Sequence, residues 1–240
     1  MKKRIIFDIE TGSLPDSEIE RIAPTFDESS VKTGNFGIEK AIEKINSAKA
    51  SHFNQIREKA ALNAEYGKVL AIGIKFADEL ILRRTLGAKL TEEEIEESRI
   101  ETLLGDEQKI LSTFWRYALG SYERGGEIWI GFNSNNFDLP FLLRRSMILG
   151  VKVPKQLTPS PRYWPGDFWI DLMDLWKAGD YRATISLDRF CKASGLEGKN
   201  GSGKWFSQLL EEDKEAAIKY LENDIEITAQ LADKVMGVFS

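Results

Sequence analysis

The segment Lys3–Thr11 constrains the fold more than any other stretch of the chain. Its residues alternate, with Ile5, Phe7 and Ile9 on one side and Ile6, Asp8 and Glu10 on the other. That is the period of a β-strand. Gly12, Ser13 and Pro15 then break the run. Two acids separated by one residue on a strand project from the same face, close enough to share one cation. On an otherwise apolar strand such a pair is costly unless a positive charge compensates it. A strand that simply ends in solvent is the plainer account of the same residues.

Downstream, strands and helices interleave. The stretch 15–35 is polar and irregular, and Ile38, Ile42, Ile45, Phe53, Ile56 and Leu62 give 37–63 a helical pattern. A second strand is predicted over 68–76 and a third over 79–86, joined as a hairpin across Ala77-Asp78. Residues 91–99 read as an acidic helical stretch with a solvated face. Asp106 opens a helix carrying Ile110, Leu111, Phe114, Trp115 and Ala118, and a strand follows over 127–132 after Gly125-Gly126. A turn at 133–136 leads to a helix from about Pro140 to Leu149, with proline in the first turn, where its missing N–H is harmless. Residues 152–167 hold four of the seven prolines and read as a loop. A short strand passing into a helix fits 168–176, Ser186 opens another helix, and the last runs from about 212 to 238. The order is that of an α/β sheet protein.

Two further acidic motifs stand in this frame. In Asn133-Ser134-Asn135-Asn136-Phe137-Asp138-Leu139-Pro140, Asp138 lies just before or at a helix start. The backbone N–H groups and helix dipole favour a negative group there, so a plain capping role suits it equally well. In Tyr220-Leu221-Glu222-Asn223-Asp224, a spacing of four puts Tyr220 and Asp224 on one helix face. Alone, that pair is uninformative.

The order of the three motifs carries more than each alone. Phe-Asp-x-Glu-Thr on a first strand, Asn-x-x-x-Phe-Asp before a helix and Tyr-x-x-x-Asp in a late helix resemble the three motifs of the DnaQ-like (DEDD) 3′–5′ exonucleases. The tyrosine is similar to that of the DEDDy branch, which includes proofreading domains of family B DNA polymerases. Ala61-Leu62 through Gly67-Lys68-Val69 into Ala71-Ile72-Gly73, and Ser186-Leu187-Asp188 through Gly195-Leu196, are similar to connecting segments of stand-alone exonucleases related to those polymerases. The sister branch has a histidine five residues before the final aspartate. Here that position is Lys219, and the chain's single histidine, His52, lies far upstream and reads as a surface or packing residue.

The resemblance implies a ribonuclease-H-like fold, an α/β mixed sheet of five strands flanked by helices. It implies one exonuclease domain over 1–240, with a helical and irregular insertion at about 13–64. It also implies that Asp8, Glu10, Asp138 and Asp224 hold two divalent ions, with Asp8 bridging both. Magnesium or manganese suits an all-oxygen ligand set, whereas zinc would usually show His or Cys. A phenol with an ordinary pKa near 10 is a poor base, so Tyr220 is expected to orient the attacking water. Thr11 and Asn133, beside the acids in sequence, are the candidate contacts to the terminal nucleotide. DNA, as a single strand or a 3′ end, is the expected substrate, with RNA or a non-catalytic nucleic-acid-binding module on the same fold as the alternatives. The latter would usually have lost a ligand, and all four acids are present. Any proofreading role would need a polymerase partner, and repair, with a repair partner, or phage-type replication is equally open.

Composition is compatible with this. Net charge is −5, which argues against coating a polyanion broadly but not against gripping one strand end. One cysteine, Cys191, permits no intrachain disulfide, and no apolar run approaches a membrane span, so a soluble, cytoplasmic protein is expected. Gly198 to Lys204 imitates a phosphate-binding loop, but Trp205 stands where Ser or Thr would hold magnesium, and the segment follows a helix rather than a strand. It reads as a loop near the substrate. Arg144-Arg145 are either phosphate contacts or solvated surface.

Overall fold

The computed structural model describes residues 2–76, 100–159, 164, 166–199 and 205–239. The chain divides into two compact units, Met1–Glu10 with Val69–Ser240, and Thr11–Lys68.

The first unit is built on a mixed five-stranded sheet in the order β3-β2-β1-β4-β5. Its strands are β1 (Lys3–Ser13, whose end passes into the other unit), β2 (Gly67–Lys75), β3 (Ile100–Leu104), β4 (Glu127–Gly131) and β5 (Trp169–Asp171). β4 runs parallel to β1, with Ile6 opposite Ile130, and β5 runs parallel to β4, with Gly131 opposite Asp171. β2 and β3 are antiparallel, with Ala71 opposite Leu104. The expected hairpin strand 79–86 and the acidic stretch 91–99 lie outside the described residues. Among those described, the antiparallel partner of β2 is β3, which its short mixed sequence did not reveal.

Strand alternation assigns the two faces. On one side Phe7 meets Trp129 and Trp169 of the sheet at ring distances of 5.8 and 5.6 Å, and Phe114 at 5.7 Å. Phe114 belongs to α3 (Glu107–Arg124), which the Asp106 carboxylate caps by accepting the Lys109 N–H at 3.0 Å. Ile110, Leu111, Phe114, Trp115 and Ala118 recur three and four apart and are all buried, as the sequence pattern predicts. These four rings are nearly solvent-free, so truncating Phe7 or Phe114 to alanine is expected to cost about 3–5 kcal/mol.

The opposite face carries Ile6, Ala71, Ile128 and Ile130. It is covered by α6 (Leu187–Ala193), α7 (Phe206–Glu212) and α8 (Lys214–Met236). Ser186 caps α6 and Asp213 caps α8, each accepting the backbone N–H three residues on. A side chain at Gly73 of β2 would meet Leu221 and Ile225 of α8 at 3.0 Å, so glycine lets the helix lie close against the sheet. By the same alternation, Asp8 and Glu10 share the Ile6 face, the one α8 covers. Among the described residues this unit also contains the helices α4 (Asp138–Leu149) and α5 (Leu172–Lys177).

The second unit contains α1 (Asp16–Ile22) and α2 (Ile38–Lys59). Arg57 of α2 pairs with Asp16 and Glu20 of α1 at 3.0 Å each, and Ile19 is buried. The stretch expected to be irregular therefore includes a helix over 16–22, whose acidic first turn suits the helix dipole. His52 packs beside Phe26 and Phe53, as expected of a packing residue. Among the described residues, no helix is long and apolar enough to cross a membrane.

Candidate active site

The α8-facing side of β1 presents Asp8 and Glu10, and α8 places Asp224 opposite them. One carboxylate oxygen from each lies within 4.8 Å of the others. Asp138, the first residue of α4, is buried and acts electrostatically on both Asp8 and Glu10. Four acids from three distant segments of the chain therefore converge in the first unit. Asp138 is not the helix cap, a position Phe137 occupies; the backbone N–H groups of Asp138 itself and of Ile9 face its carboxyl and partly offset the burial.

The loop that delivers Asp138 is held from β5. The Asp171 carboxylate accepts backbone N–H groups from Asn133 at 2.7 Å, Asn135 at 2.9 Å and Met173 at 2.8 Å. Asn133 stands at φ 60, in the left-handed region that asparagine tolerates better than most residues. From there Phe137 N–H bonds back to the Asn133 carbonyl at 3.0 Å and the chain turns into α4. Asp171 was not singled out in the sequence. Its only signal is an aspartate at a strand end, at the cap of a following helix.

Burial raises all four acids. Desolvation pushes Asp8 up to about 7, with Asp224 adding repulsion and Lys199 opposing it. Desolvation, then Asp8 and Asp224, carry Glu10 up to about 9. Asp138 rises well above the ordinary range through burial and then Asp8, and burial also raises Asp224 despite Lys199. The Tyr220 phenol is raised by burial and by Asp224, so it is protonated at neutral pH and able to donate but not to act as a base. Its hydroxyl lies beside the Asp224 carboxylate without a hydrogen bond of regular geometry.

Lys199 supplies the positive charge. Its Nζ lies 2.6 Å from Asp224 Oδ2 and 5.9 Å from the centre of the Tyr220 ring. Burial pulls the ammonium down, but Asp224 and Asp8 together hold it above its usual range. The segment set aside as a false phosphate-binding loop thus contributes a cation to the acids. Residues 200–204 lie outside the described residues.

Arg145 is not a phosphate contact: it is buried and bonds Glu107 twice, at 2.9 and 2.8 Å, whereas Arg144 is exposed. Thr11 lies in the second unit, where its hydroxyl donates to the Ala61 carbonyl at 2.6 Å. Asn133 is half-buried.

A family model described as "Predicted 3'-5' exonuclease related to the exonuclease domain of PolB" matches residues 81–229, more than half of the chain. The chain belongs to this family. Asp138, Lys199, Tyr220 and Asp224 fall inside the matched span, and Asp8 and Glu10 precede it. No curated protein matches the chain. Among solved structures, the family B DNA polymerase from the hyperthermophilic archaeon Pyrobaculum calidifontis is similar, with a TM-score of 0.55 and 18% identity. The likeness covers 98% of this chain and 25% of that one, so this chain spans about a quarter of the polymerase's length. The fold is α/β and ribonuclease-H-like, a mixed five-stranded sheet flanked by helices.

Proposed function

We propose that the chain is a metal-dependent 3′–5′ exonuclease that hydrolyses the terminal phosphodiester of a DNA strand and releases nucleoside monophosphates. The observation that carries this reading is the approach of Asp8, Glu10 and Asp224 to within 4.8 Å, with Asp138 beside them. Membership in a family described as an exonuclease related to that of PolB agrees with it and favours DNA over RNA. One catalytic domain over 1–240, with residues 13–64 as an insertion, is the arrangement this implies.

The residues fit divalent cations. The donors are all carboxylate oxygens, and Asp224 Oδ1 is buried with no hydrogen-bond partner. Asp8, Glu10, Asp138 and Asp224 would hold two Mg²⁺ or Mn²⁺ ions. When bound, such ions activate the nucleophile and neutralise charge at the reacting phosphate and leaving oxygen.

The protein's own groups orient and exclude. Tyr220, kept neutral, donates a hydrogen bond that orients the attacking water. The rigid loop tied to Asp171 fixes Asp138 and presents the Asn133 amide to the terminal nucleotide. Thr11, its proton committed to Ala61, is left with acceptor capacity alone. Incubating DNA and RNA oligonucleotides with Mg²⁺ or Mn²⁺, then with EDTA, tests the reading. Nucleoside 5′-monophosphates from DNA, abolished by EDTA, are expected. Release from RNA alone would overturn the substrate, and release in EDTA the metal dependence.

A further inference from the structure

The acid cluster already holds one positive charge, the Lys199 ammonium, 2.6 Å from Asp224 Oδ2. The approach is built into the backbone. The Lys199 N–H donates to Asp188 Oδ1 at 3.1 Å, and Asp188 is itself paired with Lys192 Nζ at 2.9 Å on α6. The preceding residue is a glycine, and a Cβ on Gly198 would fall 2.0 Å from Asp188 Oδ1 and 2.7 Å from Lys192 Cε, so any other residue there would displace both side chains. A glycine and an aspartate clamp thus fix the start of the loop where the lysine can reach inward. The side chain is largely withdrawn from solvent, at 26% exposure, and Asp224 is at 1%.

A lysine pinned in this way differs from a surface side chain that meets an acid by chance. Once ionised, the four carboxylates would carry four negative charges, and two divalent ions would balance them with no need of an ammonium. The same Asp224 oxygens cannot be close to Lys199 and fully engaged by a divalent ion without repulsion between the two cations.

Resting on the reading of the four acids as a metal site, we propose that Lys199 is a displaceable internal cation. It neutralises Asp224 in the metal-free protein and competes with the divalent ion that Asp224 would hold, and the Asp188–Gly198 clamp positions it. Lys199 thereby lowers the site's affinity for metal while keeping the empty site folded.

Mn²⁺ titration calorimetry at pH 8 without nucleic acid, together with thermal melts in EDTA, tests this on wild type, Lys199→Met, Lys199→Gln, Asp188→Ala, Asp188→Asn and Asp224→Asn. Lys199→Met and Lys199→Gln should bind Mn²⁺ roughly tenfold or more tightly than wild type. They should also melt lower in EDTA by roughly 4 °C or more, because a buried carboxylate loses its partner. Asp188→Ala should shift both readouts the same way by less, and Asp188→Asn, which keeps an acceptor for the Lys199 N–H, should restore wild-type values. Unchanged or weaker Mn²⁺ binding in both Lys199 variants would overturn the competition, and unchanged melting in EDTA would overturn the ion pair's role in the empty site. If Asp224→Asn binds Mn²⁺ as wild type does, or wild type binds none, the metal-site reading itself fails. The EDTA melts still decide whether Lys199 supports the apo fold.

Discussion

Asp171 accepts the backbone N–H of Asn133 at 2.7 Å, and that bond, with those from Asn135 and Met173, shapes the loop leading to Asp138. Asp171→Ala strands three donors in a buried place. At about 1–3 kcal/mol for each unsatisfied group, with water recovering some, a loss of roughly 2–4 kcal/mol is expected by urea unfolding. Asp171→Asn retains an acceptor oxygen and should lose less. An Asp171→Ala protein with the wild-type urea midpoint would show that the loop is held by something else.

Asn133 separates a backbone role from a side-chain role. At φ 60 the position accepts glycine without strain, so Asn133→Gly should keep stability within about 0.5 kcal/mol, while Asn133→Ala should lose about 1 kcal/mol. If the amide meets the terminal nucleotide, Asn133→Gly raises KM several-fold at unchanged melting temperature. Unchanged KM would remove Asn133 from the substrate contacts.

Tyr220→Phe removes the hydroxyl beside Asp224 and leaves the carboxylates in place. Turnover should fall by roughly 10- to 1000-fold, the range of a lost orienting or acid–base contact, with Mn²⁺ affinity nearly unchanged. Full activity across a range of pH would dismiss the tyrosine and leave the acids untouched.

Much of this arrangement was legible in the chain because it follows from short periods. Alternation in Lys3–Thr11 puts Asp8 and Glu10 on one face, a spacing of four puts Tyr220 and Asp224 on one helix side, and Ser186 and Asp106 mark helix starts that the structure contains. What was hidden depends on contacts between distant segments. Lys199 sits in a glycine-rich stretch without periodicity, and its partner Asp224 lies 25 residues away on α8. β3 is five residues with no strong pattern and owes its state to pairing with β2. Arg145 looked like a surface cation because its partner, Glu107, lies 38 residues away.

The raised acids give stability a definite pH dependence. Asp8 is pushed up to about 7 and Glu10 up to about 9, both above their unfolded values, so the native state binds more protons than the unfolded chain between those limits. Metal-free stability should therefore be least penalised below about pH 4, fall as pH rises through the window from 4 to 9, and level off above it. Divalent metal, binding the native state, should offset the deficit by mass action. Asp8→Asn should melt above wild type in EDTA at pH 8 and gain less from Mn²⁺. Melting below wild type there would mark Asp8 as a structural acid.

The central claim is tested most directly by the polarity of digestion of a 5′-labelled single strand of DNA in Mg²⁺ or Mn²⁺, with Asp8→Asn and Asp224→Asn run beside wild type. The account predicts a ladder of labelled products shortening from the 3′ end for wild type, and intact strand with EDTA or with either variant. Immediate release of the label as a mononucleotide, or a ladder that persists in both variants, would contradict it.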